Sequence, residues 1–216
     1  MMIPRERKRL LVEGTDDLYA IAELIGHHVE WPSRKEHAPV RIEWRDGVEN
    51  ILDEDTIPVR LKAPDTDILG VVIDADDEID RRWRRISTLC APFFSNIPID
   101  LPPGGLITKN EVGKYFGIWI MPDNQKHGML ETFLRYLVPG NQASLWSYAE
   151  RSTGEALNHG ANYKSLHSDK AQIHTWLAWA DPPGERFGTA LLKKILDANA
   201  PSAAPFVQWF KELYQL

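Results

Sequence analysis

The chain has 216 residues and a formal net charge of −6, and 43% of its residues are hydrophobic. Such a chain can bury a sizeable core, and its single cysteine, Cys90, excludes an internal disulfide framework and a cysteine-rich zinc site. No run approaches the roughly 18 apolar residues of a membrane span. The charged start of the chain also lacks the apolar stretch of a signal peptide. We therefore expect a cytoplasmic protein that does not associate with membranes.

The first third of the chain alternates between strand and helix patterns. The aliphatic run at residues 9–13 predicts a buried strand, and apolar residues at helical spacing predict a helix over residues 16–28. Alternation in residues 40–44 predicts a second strand, with a short helix near residues 48–52. Residues 69–73 are again continuously aliphatic and predict a further buried strand.

The remainder contains one more strand pattern and then mainly helical ones. Helical spacing predicts a helix over residues 79–89, and residues 115–121 predict a strand that Pro122 ends. An amphipathic pattern predicts a helix over residues 129–138. The later predicted helices cover residues 145–157, 169–180 and 205–214.

This order of elements predicts the fold class. Strands alternating with helices indicate an α/β fold with a mainly parallel sheet of about four strands and helices on both faces. We expect residues 1–140 to form this core. Residues 141–216 should form a helical C-terminal extension that packs on the core as part of a single compact unit.

Carboxylates follow two of the predicted strands. Glu13 comes at the end of the first strand, and Asp74 and Asp76 follow the strand at residues 69–73. Ligands of open parallel sheets bind beyond the carboxyl ends of the strands, so we expect these side chains to share a pocket. Because clustered carboxylates repel one another, a hard divalent cation such as Mg²⁺ or Mn²⁺ is the simplest reason to gather them.

These motifs resemble the Toprim domain of topoisomerases, primases and related nucleases, which has a glutamate after its first strand and an Asp-x-Asp pair after a later one. Glu13 matches the glutamate, and Asp74 and Asp76 match the pair. Asp17 lies four residues after Glu13, where nucleases related to the overcoming-lysogenization-defect proteins have a participating aspartate. A small uncharacterised bacterial family with a Toprim-like core is similar over nearly the whole chain, chiefly in residues 119–124, 128–131 and 174–179.

The resemblance implies phosphodiester chemistry at a metal site. Glu13, Asp17, Asp74 and Asp76 would bind Mg²⁺ or Mn²⁺, Glu13 would act as general acid or base, and Lys170 would be the late lysine that some nuclease-type Toprim sites use. The sequence lacks the ATP-binding loop of the overcoming-lysogenization-defect nucleases. It has no room for topoisomerase tyrosine domains and too few cysteines for a primase zinc ribbon. The resemblance therefore implies a free-standing Toprim-like nuclease.

Three further acidic residues have competing interpretations. Asp17 lies in the first turn of a predicted helix, where a carboxylate also favours the helix dipole. Asp123 follows the strand at residues 115–121 and could approach the same pocket, although Asp-Asn also suits a turn. Glu131 lies four residues before Arg135, which favours a surface ion pair, but its place in a resembling segment makes it a possible additional site residue.

Charge is unevenly distributed beside these motifs. Residues 43–80 contain 13 acidic and three basic residues, and four arginines follow within residues 81–85. We expect Arg81, Arg84 and Arg85 to bind the phosphates of a nucleic acid, with a solvated helix face as the alternative.

The sequence thus predicts a metal-dependent nuclease as the leading hypothesis. A non-catalytic Toprim-like module that binds a partner or a nucleic-acid end, and a small-molecule phosphohydrolase, remain alternatives. A protein partner or a homo-oligomer also remains open.

Overall fold

The central sheet of the computed structural model, which describes residues 7–32 and 38–216, is mainly parallel. Its strands are β1 (Lys8–Val12), β2 (Arg41–Trp44), β3 (Ile68–Asp74), β4 (Leu106–Lys109) and β5 (Tyr115–Met121). The strand order is β2-β1-β3-β5-β4, with four parallel strands and β4 antiparallel to β5 at one edge. The predicted α/β class and mainly parallel sheet are confirmed, but the described part of the sheet has five strands.

Helices surround this sheet. Those before β4 are α1 (Thr15–Gly26), α2 (Val48–Ile51), α3 (Thr56–Lys62) and α4 (Ile79–Cys90). Those after β5 are α5 (Leu130–Arg135), α6 (Ala143–Asn158), α7 (Ser168–Leu177), α8 (Phe187–Leu192) and α9 (Ala204–Tyr214). None of the helices within residues 7–32 and 38–216 is long and apolar enough to cross a membrane.

Three elements, β4, α3 and α8, were not predicted from the sequence. β4 has only four residues and follows a Pro-Pro-Gly-Gly loop, so its alternation is too short to recognise. α3 contains Pro58 at its third residue. Proline usually disrupts a helix, but the first turn of a helix has no need of the missing N–H. α8 has six residues, and it lies so close to α1 that a Cβ on Gly188 would come within 3.0 Å of the Tyr19 Cβ.

Alternate strand residues build a buried cluster on each face of the sheet. Leu10 and Val12 of β1 pack with α1 and the helices that follow β5, whereas Leu11 packs with α2, α3 and α4. This two-residue period is what a fully covered parallel sheet requires. Helices therefore cover both faces, as predicted.

The C-terminal helix α9 packs unusually close to the sheet. Gly70 of β3 and Gly117 of β5 are register partners, and a Cβ on them would lie 2.2 Å from the Tyr214 hydroxyl and 2.5 Å from Leu213 Cδ2, respectively. The Tyr214 hydroxyl donates a hydrogen bond to the Arg9 carbonyl at 2.7 Å. The end of the chain thus supplies part of the core on this face.

The strand order places a crevice between β1 and β3. From β1 the chain moves through α1 to β2 on one side, and then returns to β3 on the other side of β1. Connections that diverge in this way leave an opening at the carboxyl ends of the two central strands, and open α/β sheets bind ligands there.

Candidate active site

Carboxylates from both central strands meet at this crevice. Glu13 follows β1, and its Oε1 accepts a hydrogen bond of 2.7 Å from the backbone N–H of Asp74, the last residue of β3. Asp74 Oδ1 in turn accepts a hydrogen bond of 2.8 Å from the backbone N–H of Leu130, the first residue of α5. Backbone donors therefore hold the two predicted carboxylates at a fixed place beside each other.

The first turn of α1 adds Asp17 to this group. Its Oδ2 accepts a hydrogen bond of 3.0 Å from the Gly14 backbone N–H, which is the capping role that the sequence allowed. Its Oδ1 is buried and has no hydrogen-bond partner among residues 7–32 and 38–216. A buried acceptor left unsatisfied costs free energy, and the capping contact of Oδ2 does not account for this second oxygen. The geometry thus shows the capping contact, and the metal-binding role of Asp17 stays a prediction.

Helix α5 contributes Glu131, whose charge acts on both Asp17 and Asp74. Glu131 is 4% exposed, and its Oε1 pairs with Lys170 Nζ of α7 at 2.8 Å. Arg135, the expected surface partner, pairs instead with Glu150 at 2.6 Å. The expectation of a Glu131–Arg135 surface pair was wrong because α5 turns Glu131 toward the cluster. Tertiary packing of α7 on α5, which a local spacing rule does not include, decides its partner.

The backbone of Asp76 does not continue the extended conformation of β3. Its φ is 51°, in the left-handed region, and its backbone forms two reciprocal hydrogen bonds of 2.8 Å with Gly128. Its Oδ2 pairs with Arg82 Nη2 of α4 at 3.1 Å. Asp76 therefore links the carboxylates to the cationic helix that follows β3.

The electrostatics of the cluster reflect burial and mutual repulsion. Burial raises the pKa of Glu13 to about 7, with further contributions from the charges of Asp17 and Asp76. Burial also raises the pKa of Asp17 to about 6, and Glu131 adds to this shift. Burial and the neighbouring carboxylates raise the pKa of Asp74 well above its usual range. Without a cation, these carboxyl groups therefore hold their protons to higher pH than free carboxyl groups do.

Two positive side chains flank the carboxylates. Arg82 lies beside Asp76, and its charge lowers the pKa of Glu13 in opposition to burial. Burial disfavours the charge of Lys170, but its ion pair with Glu131 outweighs that effect and raises the Lys170 pKa. Neither cation removes the repulsion at the centre, where three carboxyl groups still have raised pKa values.

The donor set suits a hard divalent cation by its chemistry. The carboxylate oxygens are the ligands that Mg²⁺ and Mn²⁺ prefer, and Asp17 Oδ1 is a buried acceptor without a donor. Over residues 7–32 and 38–216, no three His, Cys, Asp or Glu side chains are already arranged to hold a metal ion. Glu13 and Asp74 each use one oxygen to accept a hydrogen bond from a backbone N–H, which leaves the second oxygen of each as the candidate ligand.

Asp123 occupies a turn beyond β5. Its Oδ1 accepts hydrogen bonds from the backbone N–H groups of Gln125 and Lys126, and its Oδ2 pairs with Lys126 Nζ at 2.9 Å. Burial would raise the Asp123 pKa, but the bonds from Lys126 and Gln125 outweigh it and lower the pKa. These contacts match the turn interpretation, and they leave Asp123 without a described contact to Asp74.

The predicted phosphate-binding arginines lie on α4 next to the cluster. Arg81, Arg84 and Arg85 are exposed and line one groove together with Arg82. Arg81 pairs with Glu78 at 2.7 Å, and Arg85 Nε donates to the Leu52 carbonyl at 3.0 Å. Arg82 was not among the predicted site residues, and its position three residues after Ile79, on the buried face of the helix, was the available signal.

Residues 7–215 match the family described as "Protein of unknown function (DUF3226)". The chain belongs to this family. The DUF3226 match includes all the strands described above, every residue of the carboxylate cluster and the C-terminal helices, so the site lies inside the matched region. Comparisons with curated proteins and with solved structures gave no match.

Proposed function

We propose that this protein is a Toprim-like, Mg²⁺- or Mn²⁺-dependent phosphodiesterase that acts on nucleic acid. The observation that supports this most directly is the set of buried carboxylates at the crevice between β1 and β3, with Asp17 Oδ1 buried and unpartnered. Buried carboxylates that share a site favour binding of a cation because it relieves both their desolvation and their repulsion.

The proposal assigns the cation to the four carboxylates that the Toprim resemblance names. Glu13, Asp17, Asp74 and Asp76 would hold it. Glu131 would join them, because it is close enough for its charge to raise the pKa values of Asp17 and Asp74. When bound, the metal would neutralise the transferring phosphoryl group and supply an activated water.

Glu13 is suited to proton transfer within this scheme. A general acid or base works best when its pKa lies near the working pH, and burial brings the pKa of Glu13 to about 7 in the metal-free site, from which a bound cation would lower it. The Asp74 backbone N–H fixes Oε1 and leaves Oε2 as the oxygen that would carry the proton.

Lys170 is suited to stabilising negative charge beside the carboxylates. Its side chain is half exposed, and its Nζ bonds to Glu131 at the edge of the cluster. An ammonium at this position would stabilise charge that develops on a phosphoryl oxygen. Glu131 acts as the positioning residue for this lysine.

The test compares metal binding with hydrolysis in a matched pair of variants. Mn²⁺ would be titrated by calorimetry into protein stripped with chelator, and hydrolysis would be followed on labelled single-stranded DNA, duplex DNA and RNA. Glu13→Gln should weaken Mn²⁺ binding and lower the hydrolysis rate by about 10²–10⁴-fold. Glu155→Gln, on the exposed face of α6, should match the wild type.

Three outcomes would replace the proposal. Nucleic-acid binding without Mn²⁺ binding or cleavage would favour a non-catalytic module. Hydrolysis of a small phosphate ester, with all three nucleic acids left intact, would favour a small-molecule phosphohydrolase. Equal hydrolysis by the wild type and the Glu13→Gln variant would remove this cluster as the active site.

A further inference from the structure

An arginine-lined groove opens beside the carboxylate cluster, between α4 and the segment that joins α2 to α3. Its volume is about 440 Å³. Its lining residues are Glu49, Leu52, Asp53, Arg81, Arg82, Arg84, Arg85 and Thr88. A cavity of this size falls within the range of about 300–1,000 Å³ that is typical of small-ligand sites.

The four arginines of the groove outnumber its two acidic residues, Glu49 and Asp53. The Asp53 carboxylate is occupied by the Asp55 and Thr56 backbone N–H groups and by the Thr56 hydroxyl. Within the described ranges, neither Arg84 nor Arg85 has an ion-pair partner. The groove therefore presents guanidinium groups that are free to bind an anion.

Arg82 connects this groove to the carboxylate cluster. Its side chain is only 9% exposed, with Nη2 paired to Asp76 and Nη1 paired to Glu49 at 3.2 Å. Its Nε is buried and has no hydrogen-bond partner in the described part of the chain. Glu49 is 82% exposed, so an entering anion can displace it at little cost.

We propose that this groove binds the terminal phosphate of a nucleic-acid strand, placing the end of the strand beside Asp76 and the carboxylate cluster. The assignment of this phosphate to a nucleic-acid strand, and not to a small molecule, rests on the proposed function. A phosphomonoester carries close to two negative charges and three acceptor oxygens, which suits several guanidinium forks better than the single charge of an internal phosphodiester. The limited volume of the groove suits one terminal group rather than a continuous track.

The experiment measures binding in chelator, so that it does not depend on hydrolysis. Fluorescence anisotropy would compare one single-stranded oligonucleotide carrying a 5′-phosphate, a 3′-phosphate or no terminal phosphate. We expect one phosphorylated form to bind about tenfold more tightly than the unphosphorylated form, because it gains charge-assisted hydrogen bonds. Arg84→Ala/Arg85→Ala should abolish this preference.

Two further variants test the assignment. Arg151→Ala/Lys164→Ala removes two exposed positive charges elsewhere and should keep the preference for the terminal phosphate. Glu49→Gln removes the competing carboxylate and should strengthen the preference. Melting temperatures would confirm that all variants are folded.

The proposal has clear contrary results. Equal affinity for all three oligonucleotides would overturn it, as would a uniform loss of affinity for all three in Arg84→Ala/Arg85→Ala, which would indicate an internal phosphate track. Tighter binding of a free nucleoside monophosphate than of either phosphorylated strand would exclude the strand as carrier. A terminal-phosphate preference without metal-dependent hydrolysis would leave this site in place while the proposed activity fails.

Discussion

One hydrogen bond fixes the position of Glu13 and places its charge beside the Asp74 carboxyl group. The Asp74 backbone N–H holds Glu13 against β3, and the same contact brings Asp74 within range of the Glu13 charge. Asp17 of α1 completes the group, and within the described residues its Oδ1 has no hydrogen-bond donor. The local arrangement therefore favours binding either protons or a cation.

This arrangement predicts an unusual dependence of stability on pH. The folded-state pKa of Glu13 is raised from 4.5 to about 7, so the folded protein binds more protons than the unfolded chain between these values. The free energy of unfolding should therefore fall as pH rises from about 5 to 8, on the order of 3 kcal/mol from Glu13 alone. Urea unfolding in chelator at both pH values measures this change.

Two controls accompany the pH series. Glu13→Gln should make the decline shallower, because the amide does not titrate, while Asp17 and Asp74 still contribute through their own raised pKa values. Excess Mn²⁺ at pH 8 should restore stability in the wild type through preferential binding to the folded state. A free energy of unfolding that rises between pH 5 and 8, with the same slope in Glu13→Gln, would contradict the burial of this carboxyl group.

The turn that leads into α5, together with the first residues of α5, contacts both Asp76, which follows β3, and helix α7. Gly128 has a φ of 138° and pairs with Asp76 through both backbone groups. Four residues later, the Thr132 hydroxyl accepts from the Met129 backbone N–H at 3.1 Å and donates to Asp169 of α7 at 2.6 Å. The turn at Gly128 thus positions Asp76, the start of α5 and the helix that carries Lys170.

Gly128 should accordingly be intolerant of a side chain. A Cβ there would lie 2.5 Å from Thr132 Oγ1, and the positive φ adds backbone strain. We expect Gly128→Ala to lower the free energy of unfolding by about 1–3 kcal/mol and to weaken Mn²⁺ binding. Gly140→Ala is the matched control, because its Cβ would meet nothing within 4 Å. Equal melting temperatures and Mn²⁺ affinities for the two variants would rule out this role.

At the scale of the whole molecule, the helices after β5 complete the core on one face of the sheet. Leu213 and Tyr214 of α9 are fully buried against the glycines of β3 and β5. The buried Lys8 of β1 donates to the Tyr214 carbonyl at 2.7 Å, so the first strand and the last helix are directly joined. Removing α9 would expose this face of the sheet to water.

A single substitution in α9 should therefore affect the entire protein. We expect Leu213→Ala to lower the free energy of unfolding by about 2–5 kcal/mol, with one cooperative transition seen by both far-ultraviolet and tryptophan signals. Leu216→Ala, at a side chain that is 38% exposed, should have an effect within about 0.5 kcal/mol. Separate transitions for the sheet and the C-terminal helices would show instead that they unfold independently.

The sequence by itself determined the central strands and the acidic residues that follow them. β1, β3 and β5 contain apolar runs with clear ends, and parallel pairing of β1 with β3 brings Glu13 and Asp74 to the same edge. These features could be predicted because hydrophobic period and strand ends are local properties of the chain. The helical character of the chain beyond residue 140 was predictable for the same reason.

Only the tertiary structure decided which side chains meet. It placed Glu131 with Lys170 rather than Arg135, Asp76 with Arg82, and Asp123 in a turn of its own. It also formed β4 and α8, which are too short to have a clear pattern and depend on packing against β5 and α1. Ion-pair choice and short elements are set by distances between segments far apart in the chain, and a local pattern does not contain those distances.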